Sequence, residues 1–189
     1  ITMIKLYVVL GSTRPNRKSE IVAPWVLAAM KKLEDVEVEL IDLRDWPLPF
    51  YQEPTSVEKD MKYSIPLAHT WSDKIKLGDG FLIVTPEYNH GYTAVLKNAL
   101  DYLETRPEVD KDRFGITGRS GGAAMSWFAA AVDPRIKVVA PVMGISTYAA
   151  NVAENTQRLH CDCMFAVNGY LHDMLHQGGL IAPRPLYMM

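Results

Sequence analysis

The chain has 189 residues, 48% of them apolar and 22% charged, a composition typical of a globular protein with a sizeable core and not of a disordered or fibrous one. Its net charge of −2 argues against strong attraction to nucleic acid or to an anionic membrane surface. The apolar runs stay well below the roughly 18 residues of a membrane span and the two cysteines lie close together, so we expect one cytoplasmic domain, residues 1–189, with no membrane span, secretion signal or disulfide framework.

The first half of the chain alternates strand and helix patterns. Short, apolar, β-branched runs predict three strands, at residues 4–10, 36–43 and 80–85. Apolar positions at helical spacing predict three helices, at residues 21–33, 66–77 and 94–104. Thr93 is the expected N-cap of the third helix. The third strand is apolar enough to predict burial on both of its faces.

The second half continues this alternation. It predicts strands at residues 113–117, 137–143 and 184–189, and helices at residues 121–132 and near 168–178. Strands that alternate with helices form a parallel sheet through right-handed crossovers. The predicted fold class is therefore α/β, a three-layer, doubly wound parallel sheet. Trp25, Met30 and Trp127 stand at helical spacings, which favours burial in the core over contact with a cofactor.

The loop between the first strand and the first helix, residues 11–19, has unusual chemistry. Its sequence, GSTRPNRKS, combines hydroxyls, two guanidiniums and the N-terminus of the following helix. These groups are the ones that hold a phosphate in proteins. A solvated basic loop between strand and helix explains the same residues, and the loop by itself does not decide between the two.

A second polar loop, residues 86–92, follows the third strand. Ligands of open α/β sheets bind where loops leave the carboxyl ends of the strands, and this loop begins at such a point. It contains two tyrosines, and its Gly91 permits close approach of the backbone to a planar ligand. The alternative is an ordinary turn that carries surface tyrosines.

Together the two loops resemble the NADPH-dependent FMN reductase family, which is flavodoxin-like. The matching segments are GSTRPNRKSE and TPEYNHGYTAVLKNALDYL with the strands between them, about residues 3–103. The resemblance implies that FMN is the cofactor and NAD(P)H the co-substrate, and members of the family are commonly dimers, which implies a homodimer. The residues it implies for the FMN phosphate are Ser12, Arg14, Arg17 and Ser19. Those it implies for the isoalloxazine ring are Pro86, Glu87, Tyr88 and Asn89.

Residues 104–189 resemble a different family, the α/β-hydrolases of the acetyl xylan esterase and dienelactone hydrolase kind. The resemblance rests on GRSGG at residues 118–122, which fits the G-x-S-x-G pattern of a nucleophile elbow, and on DPRIKVVAPV and HCDCMF. We interpret the chain as a chimera, engineered or recombinant, joined near residues 102–106. Both parents are parallel sheets, so the joined chain is predicted to form one flavodoxin-like, six-stranded sheet of order 2-1-3-4-5-6.

Hydrolysis by Ser120 would require a base and an acid that orients it. The resemblance places both partners after RPLYMM, where this chain ends, and spacing assigns none of the later histidines (His160, His172 and His176) to Ser120. A glycine-rich turn before a helix presents free backbone N–H groups, so we expect the turn to serve as a third ligand loop instead. The residues expected at the flavin edge are Gly118, Arg119, Ser120 and Gly121.

Three functions remain open at this point. The first is a flavodoxin-like, FMN-binding protein with NAD(P)H-dependent FMN reductase or quinone reductase activity, whose partners are flavin and nicotinamide ligands. The second is a serine carboxylesterase or acetyl esterase that uses Ser120, and the third is a folded but inactive scaffold. The cysteines of the segment His160-Cys161-Asp162-Cys163 are closer together than the two to four intervening residues usual in structural zinc sites, which need four ligands. The same string belongs to the hydrolase resemblance, so we expect packing there and no metal, with a metal site as the less favoured alternative.

Overall fold

The computed structural model describes residues 3–54, 62–88, 91–104, 110, 112–155 and 173–188. Contacts along the chain group it into two compact units. The first unit comprises residues 1–86 and 92–109, and the second comprises residues 87–91 and 110–189. The organisation of residues 1–189 as a single domain stays a prediction.

The first unit is built on a parallel three-stranded sheet. Its elements in chain order are β1 (Ile4–Leu10), α1 (Ser19–Met30), β2 (Val36–Asp42), a 3-10 turn (Leu43–Asp45), α2 (Pro66–Lys76), β3 (Gly80–Val84) and α3 (Ala94–Glu104). The strand order is β2-β1-β3, and both pairings are parallel. These elements confirm the α/β class and all six elements predicted for the first half.

The core of the first unit lies on the face of the sheet that carries Tyr7 and Val9. Residues 7–10 of the central strand are all buried, as expected for a parallel strand covered on both faces. Trp71 of α2 is 1% exposed, its indole N–H donates to the carbonyl of Ala99 at 3.3 Å, and its ring meets that of Trp46 edge-on at 5.0 Å. This indole therefore joins α2 to α3 and to the chain that leaves β2.

Two burial predictions for the first unit are wrong. Trp25 is 73% exposed, because α1 begins at Ser19, turns Ala23 and Val26 inward and leaves Trp25 on its outer side. Phe81 and Ile83 are 42% and 38% exposed instead of buried on both faces. Both side chains lie on the same face of β3, which is the end strand of its ladder.

The second unit contains a parallel pair of strands with a helix packed on both of them. Its elements are β4 (Phe114–Arg119), α4 (Gly121–Val132), β5 (Ile136–Val142), α5 (Tyr148–Ala153) and α6 (Met174–Gly178). Trp127 of α4 is buried as predicted, against Ala130, Val139 and Ile181. The sequence pattern did not predict α5, a helix of six residues that Thr147 caps by accepting from the N–H of Ala150 at 2.9 Å.

The predicted strand order 2-1-3-4-5-6 is found in part. The described strands pair as two ladders, β2-β1-β3 and β4-β5, which keep the predicted neighbours 2-1-3 and 4-5. Apolar periodicity predicts that a strand exists but not which strand it pairs with. The predicted strand at residues 184–189 is reduced to one parallel bridge between Leu186 and Val139, since Pro183 and Pro185 have no N–H to donate. Arg184 fastens this segment by donating to the carbonyls of Asp133 and Ile136 at 2.9 and 2.8 Å.

A search of the described residues for a helix that is both long and apolar enough to cross a membrane finds none.

We predict opposite outcomes for two tryptophans of the first unit. Trp71→Ala removes a buried indole and should lower the free energy of unfolding by about 3–5 kcal/mol, whereas Trp25→Ala, at an exposed position, should change it by less than about 0.5 kcal/mol. Urea unfolding followed by far-ultraviolet circular dichroism measures both. Similar losses for the two variants would contradict the burial described above.

Candidate functional site

The loop between β1 and α1 is held through its backbone carbonyls. The hydroxyl of Thr93 donates to the carbonyl of Gly11 and also accepts from the N–H of Leu96 at 3.2 Å, which confirms Thr93 as the N-cap of α3. The start of α3 and the start of this loop therefore share one buried hydroxyl.

Two arginines hold the next three carbonyls of the same loop. Arg17 donates from Nη1 to the carbonyl of Ser12. Arg44, just after β2, donates from Nε to the carbonyl of Thr13 at 3.4 Å and from Nη2 to that of Arg14 at 2.7 Å. Side chains thus fix four successive carbonyls, at residues 11–14.

Asp42, the last residue of β2, anchors Arg17. Its Oδ1 accepts from Arg17 Nη1 at 2.8 Å, its Oδ2 accepts from Nη2, and the Arg17 side chain is 4% exposed. Strand register brings the two elements together, because Asp42 pairs with Leu10, the residue before the loop. Hydrogen bonds from Arg17 hold the pKa of the Asp42 carboxyl below its usual value, against the opposing effect of burial, and the same pairing raises the pKa of Arg17.

Two of the remaining predicted phosphate residues, Ser19 and Arg14, offer groups that no described residue engages. Ser19 opens α1, is 7% exposed, and has a buried Oγ with no hydrogen-bond partner in the described part of the chain. The hydroxyl of Ser12 accepts from the N–H of Arg14 at 3.4 Å. The exposed guanidinium of Arg14 makes no hydrogen bond to any described residue. An unused buried hydroxyl at a helix N-terminus, with a free guanidinium in the same loop, suits a dianionic phosphate.

Within the second unit, the loop after β3 and the GRSGG turn come together. Tyr88 and Gly91 exchange two backbone hydrogen bonds, of 2.7 and 3.1 Å, which form an isolated antiparallel bridge. Oε2 of Glu87 lies 3.4 Å from the place that a Cβ on Gly121 would occupy. Of the other residues predicted for the ring, Pro86 belongs to the first unit and Asn89 lies outside the described residues.

The GRSGG turn has a strained backbone at Ser120, where φ is 56° and ψ is −118°. The turn is crowded: a Cβ on Gly118 would overlap the carbonyl group of Gly122, and one on Gly144 would lie 2.6 Å from the Cβ of Ala123. The backbone N–H of Ser120 donates to the carbonyl oxygen of Val142 at 3.0 Å. The arrangement of strand, sharp turn and helix is the one predicted for residues 114–132.

The described residues bring no base to the Ser120 hydroxyl, which is exposed and hydrogen-bonds none of them. Nδ1 of His176 instead accepts from the N–H of Asp173 at 3.0 Å, in the cap of α6. His160, Cys161, Asp162, Cys163 and His172 lie outside the described residues. Within residues 3–54, 62–88, 91–104, 110, 112–155 and 173–188, no group of three or more His, Cys, Asp or Glu side chains could hold a metal ion.

Comparison with known proteins gives one family. The model of the family described as NADPH-dependent FMN reductase matches residues 4–168. Curated relatives include an NAD(P)H-dependent FMN reductase of Schizosaccharomyces pombe, 41% identical over 52% of this chain and 50% of the relative, and an NAD(P)H:quinone oxidoreductase of Solanum tuberosum, 35% identical over 50% and 48%. An FMN-dependent NADPH-azoreductase of Staphylococcus aureus is 30% identical over 65% and 64%. The chain spans about half the length of the first curated relatives that it matches.

Solved structures are more distant. An azoreductase from Bacillus anthracis aligns with a TM-score of 0.47 and 15% identity, over 98% of this chain and 85% of that one. A glucuronoyl esterase from Solibacter usitatus aligns with a TM-score of 0.44 and 15% identity, over 99% and 55%.

We predict that the two glycines of the GRSGG turn differ sharply in tolerance. Gly118→Ala places a Cβ against backbone and should destabilise the protein by about 3 kcal/mol or more. Gly122→Ala is the matched control, because its Cβ would meet no atom within 4 Å and alanine favours the helix by up to about 1 kcal/mol. Thermal unfolding of both variants tests this. Equal melting temperatures would show that the turn is not built as described.

Proposed function

The chain belongs to the NADPH-dependent FMN reductase family, and from that premise we propose that it binds FMN and acts as an NAD(P)H-dependent FMN or quinone reductase. Its fold is flavodoxin-like, α/β with parallel strands. Its relatives include proteins named for FMN reduction, quinone oxidoreduction and azo reduction. Because the chain spans about half of the first relatives' length, activity and substrate are proposals for this protein.

The observation that carries the proposal is the unused hydroxyl of Ser19 at the N-terminus of α1. A buried hydroxyl without a partner costs free energy unless a ligand satisfies it. A phosphate at this position would accept from the Ser19 hydroxyl, at the positive end of the helix dipole. Arg14, whose guanidinium hydrogen-bonds no described residue, would supply a charge-assisted hydrogen bond. The residues present therefore fit the phosphate of FMN.

For the isoalloxazine ring we propose Pro86, Glu87, Tyr88 and Asn89, which the family resemblance implies, and the glycine-rich turn at Gly118, Arg119, Ser120 and Gly121. The backbone bridge between Tyr88 and Gly91 and the approach of Glu87 to Gly121 support a shared role for the loop that contains Glu87 and the GRSGG turn. Bound FMN would supply the redox chemistry, since its ring takes up the hydride of NAD(P)H and passes the electrons to an acceptor. The protein's part is to hold and orient the flavin, and none of its side chains has to act as an acid or base.

We also propose an origin for residues 104–189: that they come from an α/β-hydrolase fragment joined to the first half near residues 102–106. Its support is the backbone of Ser120, whose dihedral angles give the strained strand-to-helix turn of a nucleophile elbow. The FMN reductase family model extends across this segment to residue 168. The same turn is the observation that favours a serine esterase as the second candidate function.

The homodimer and the cytoplasmic location remain proposals. Exposed apolar side chains on α1, those of Ile21 and Trp25, are what an interface between two copies would cover. Sedimentation would then report twice the mass of one chain, and a monomeric mass would rule out the dimer. Two cysteines separated by one residue suit a reducing compartment.

We predict that Arg14→Ala weakens FMN binding about tenfold or more, because a charge-assisted hydrogen bond to the phosphate is lost. Riboflavin lacks the phosphate, so its affinity should change by less than about twofold. Quenching of flavin fluorescence measures both affinities. Arg113→Ala, at an exposed arginine of the second unit, is the control. Equal loss for both flavins would place the phosphate elsewhere, and no flavin binding at all would favour the inactive scaffold.

We predict that Ser120 is not a working nucleophile, because a serine hydroxyl without a base stays protonated at neutral pH. A fluorophosphonate probe should label the chain no faster than it labels Ser120→Ala, as quantified by mass spectrometry. Rapid, stoichiometric labelling that disappears in Ser120→Ala would instead establish the esterase alternative.

A further inference from the structure

Side chains hold the backbone carbonyls of the β1–α1 loop, residues 11–14. The carbonyls of residues 11–14 accept hydrogen bonds from Thr93, Arg17 and Arg44. In a trans peptide the carbonyl and the next N–H point in opposite directions. Each carbonyl that is held therefore turns the following N–H away from the side chain that holds it. Successive N–H groups of this kind form an anion-binding nest.

One contact shows where these N–H groups face. The N–H of Arg14 points at the hydroxyl of Ser12, at 3.4 Å, so it lies on the side of the predicted phosphate ligands. The N–H of Thr13 has no acceptor among the described residues. Pro15 ends the series, because it has no N–H.

We propose that Arg17 and Arg44 are positioning residues that set the phosphate-binding geometry of this loop, and that Asp42 and Glu20 hold the two arginines for that purpose. These four residues are named the arginine clasp. The inference rests on the proposed function, since it concerns how the same loop receives the phosphate of FMN. It changes the role of Arg17, which the sequence resemblance made a direct phosphate ligand.

The engagement of the two guanidiniums supports this role. Arg17 spends its donors on Asp42, on Glu20 at 3.2 Å and on the Ser12 carbonyl, and it is almost fully buried. Oε1 of Glu20 also accepts from Nη1 of Arg44, so one carboxylate joins both arginines. Neither guanidinium has to move for the loop to bind an anion. Their donors are already committed to the loop's carbonyls.

The arginine side chain is suited to this task in a way that lysine is not. Arg44 reaches the carbonyls of Thr13 and Arg14 and the carboxylate of Glu20 at once, from three nitrogens of one planar group. A lysine has the same charge but a single nitrogen without the planar fork. Arg44→Lys therefore removes the positioning and keeps the electrostatic attraction for a phosphate.

The competing explanation is that the arginines act only through their positive charge. The two explanations give opposite signs for Asp42→Asn. Removing a negative charge near the loop should strengthen the binding of a dianion if charge alone matters. If Asp42 positions Arg17, the same substitution should weaken it.

The experiment is a titration of the flavin-free, full-length chain with FMN and with riboflavin, followed by flavin fluorescence. Arg44→Lys and Asp42→Asn should each lower FMN affinity about tenfold and leave riboflavin affinity within about twofold. Glu39→Gln is the matched control, since Glu39 is also a β2 carboxylate paired with a cation, Lys74, but does not touch the loop. It should leave both affinities within about twofold.

The outcomes separate the two proposals. If the unchanged chain binds FMN no more tightly than riboflavin, the proposed phosphate site fails and the clasp fails with it. A second outcome is that the unchanged chain binds FMN more tightly than riboflavin, while Arg44→Lys keeps the same preference and Asp42→Asn binds FMN as tightly or more tightly. In that case the arginine clasp is wrong and the proposed function stands. Retained riboflavin binding shows that a variant is folded. The Arg44 side chain is partly exposed, so its replacement does not leave a cavity in the core.

Discussion

The buried ion pair between Arg17 and Asp42 is the interaction on which the candidate site depends. A guanidinium that is almost fully removed from water is stable only if its donors are matched by acceptors, and here a carboxylate, a second carboxylate and a backbone carbonyl provide them. The pair therefore constrains the end of β2, the β1–α1 loop and the first turn of α1 together. None of these three segments can shift without exposing the Arg17–Asp42 pair to water or leaving one of its charges buried without a partner.

A loop held in this way is ordered before a ligand arrives. A flexible loop would lose conformational entropy when it closed on an anion, and this loss would make the free energy of binding less favourable. Here folding has already ordered the loop, through Thr93 and two arginines. What is left for a ligand is to satisfy the few groups that folding leaves unused, such as the Ser19 hydroxyl.

Local signals in the sequence predicted the local features well. Strand β1 and helix α4 match their predicted bounds because the residues at their ends clearly break the apolar pattern. The capping role of Thr93 follows from its position alone. Asp42 and Arg44 were missed as parts of the site, since Asp42 ends a different strand, β2, and Arg44 follows it. Only the register that pairs Asp42 with Leu10 brings them to the loop. The pairing of strands and the exposure of Trp25 and Phe81 are likewise decided by distant residues, which periodicity does not report.

The turn around Ser120 has a consequence for how such a protein can change over generations. Gly118 and Gly144 tolerate no larger side chain while the backbone at Ser120 keeps its strained conformation, and that conformation has no purpose without the two glycines. Single substitutions at Gly118 or Gly144 are therefore costly, and change at this turn requires joint replacement of the three positions. The turn is an epistatic block, in which the effect of a substitution at one position depends on the residues at the other two.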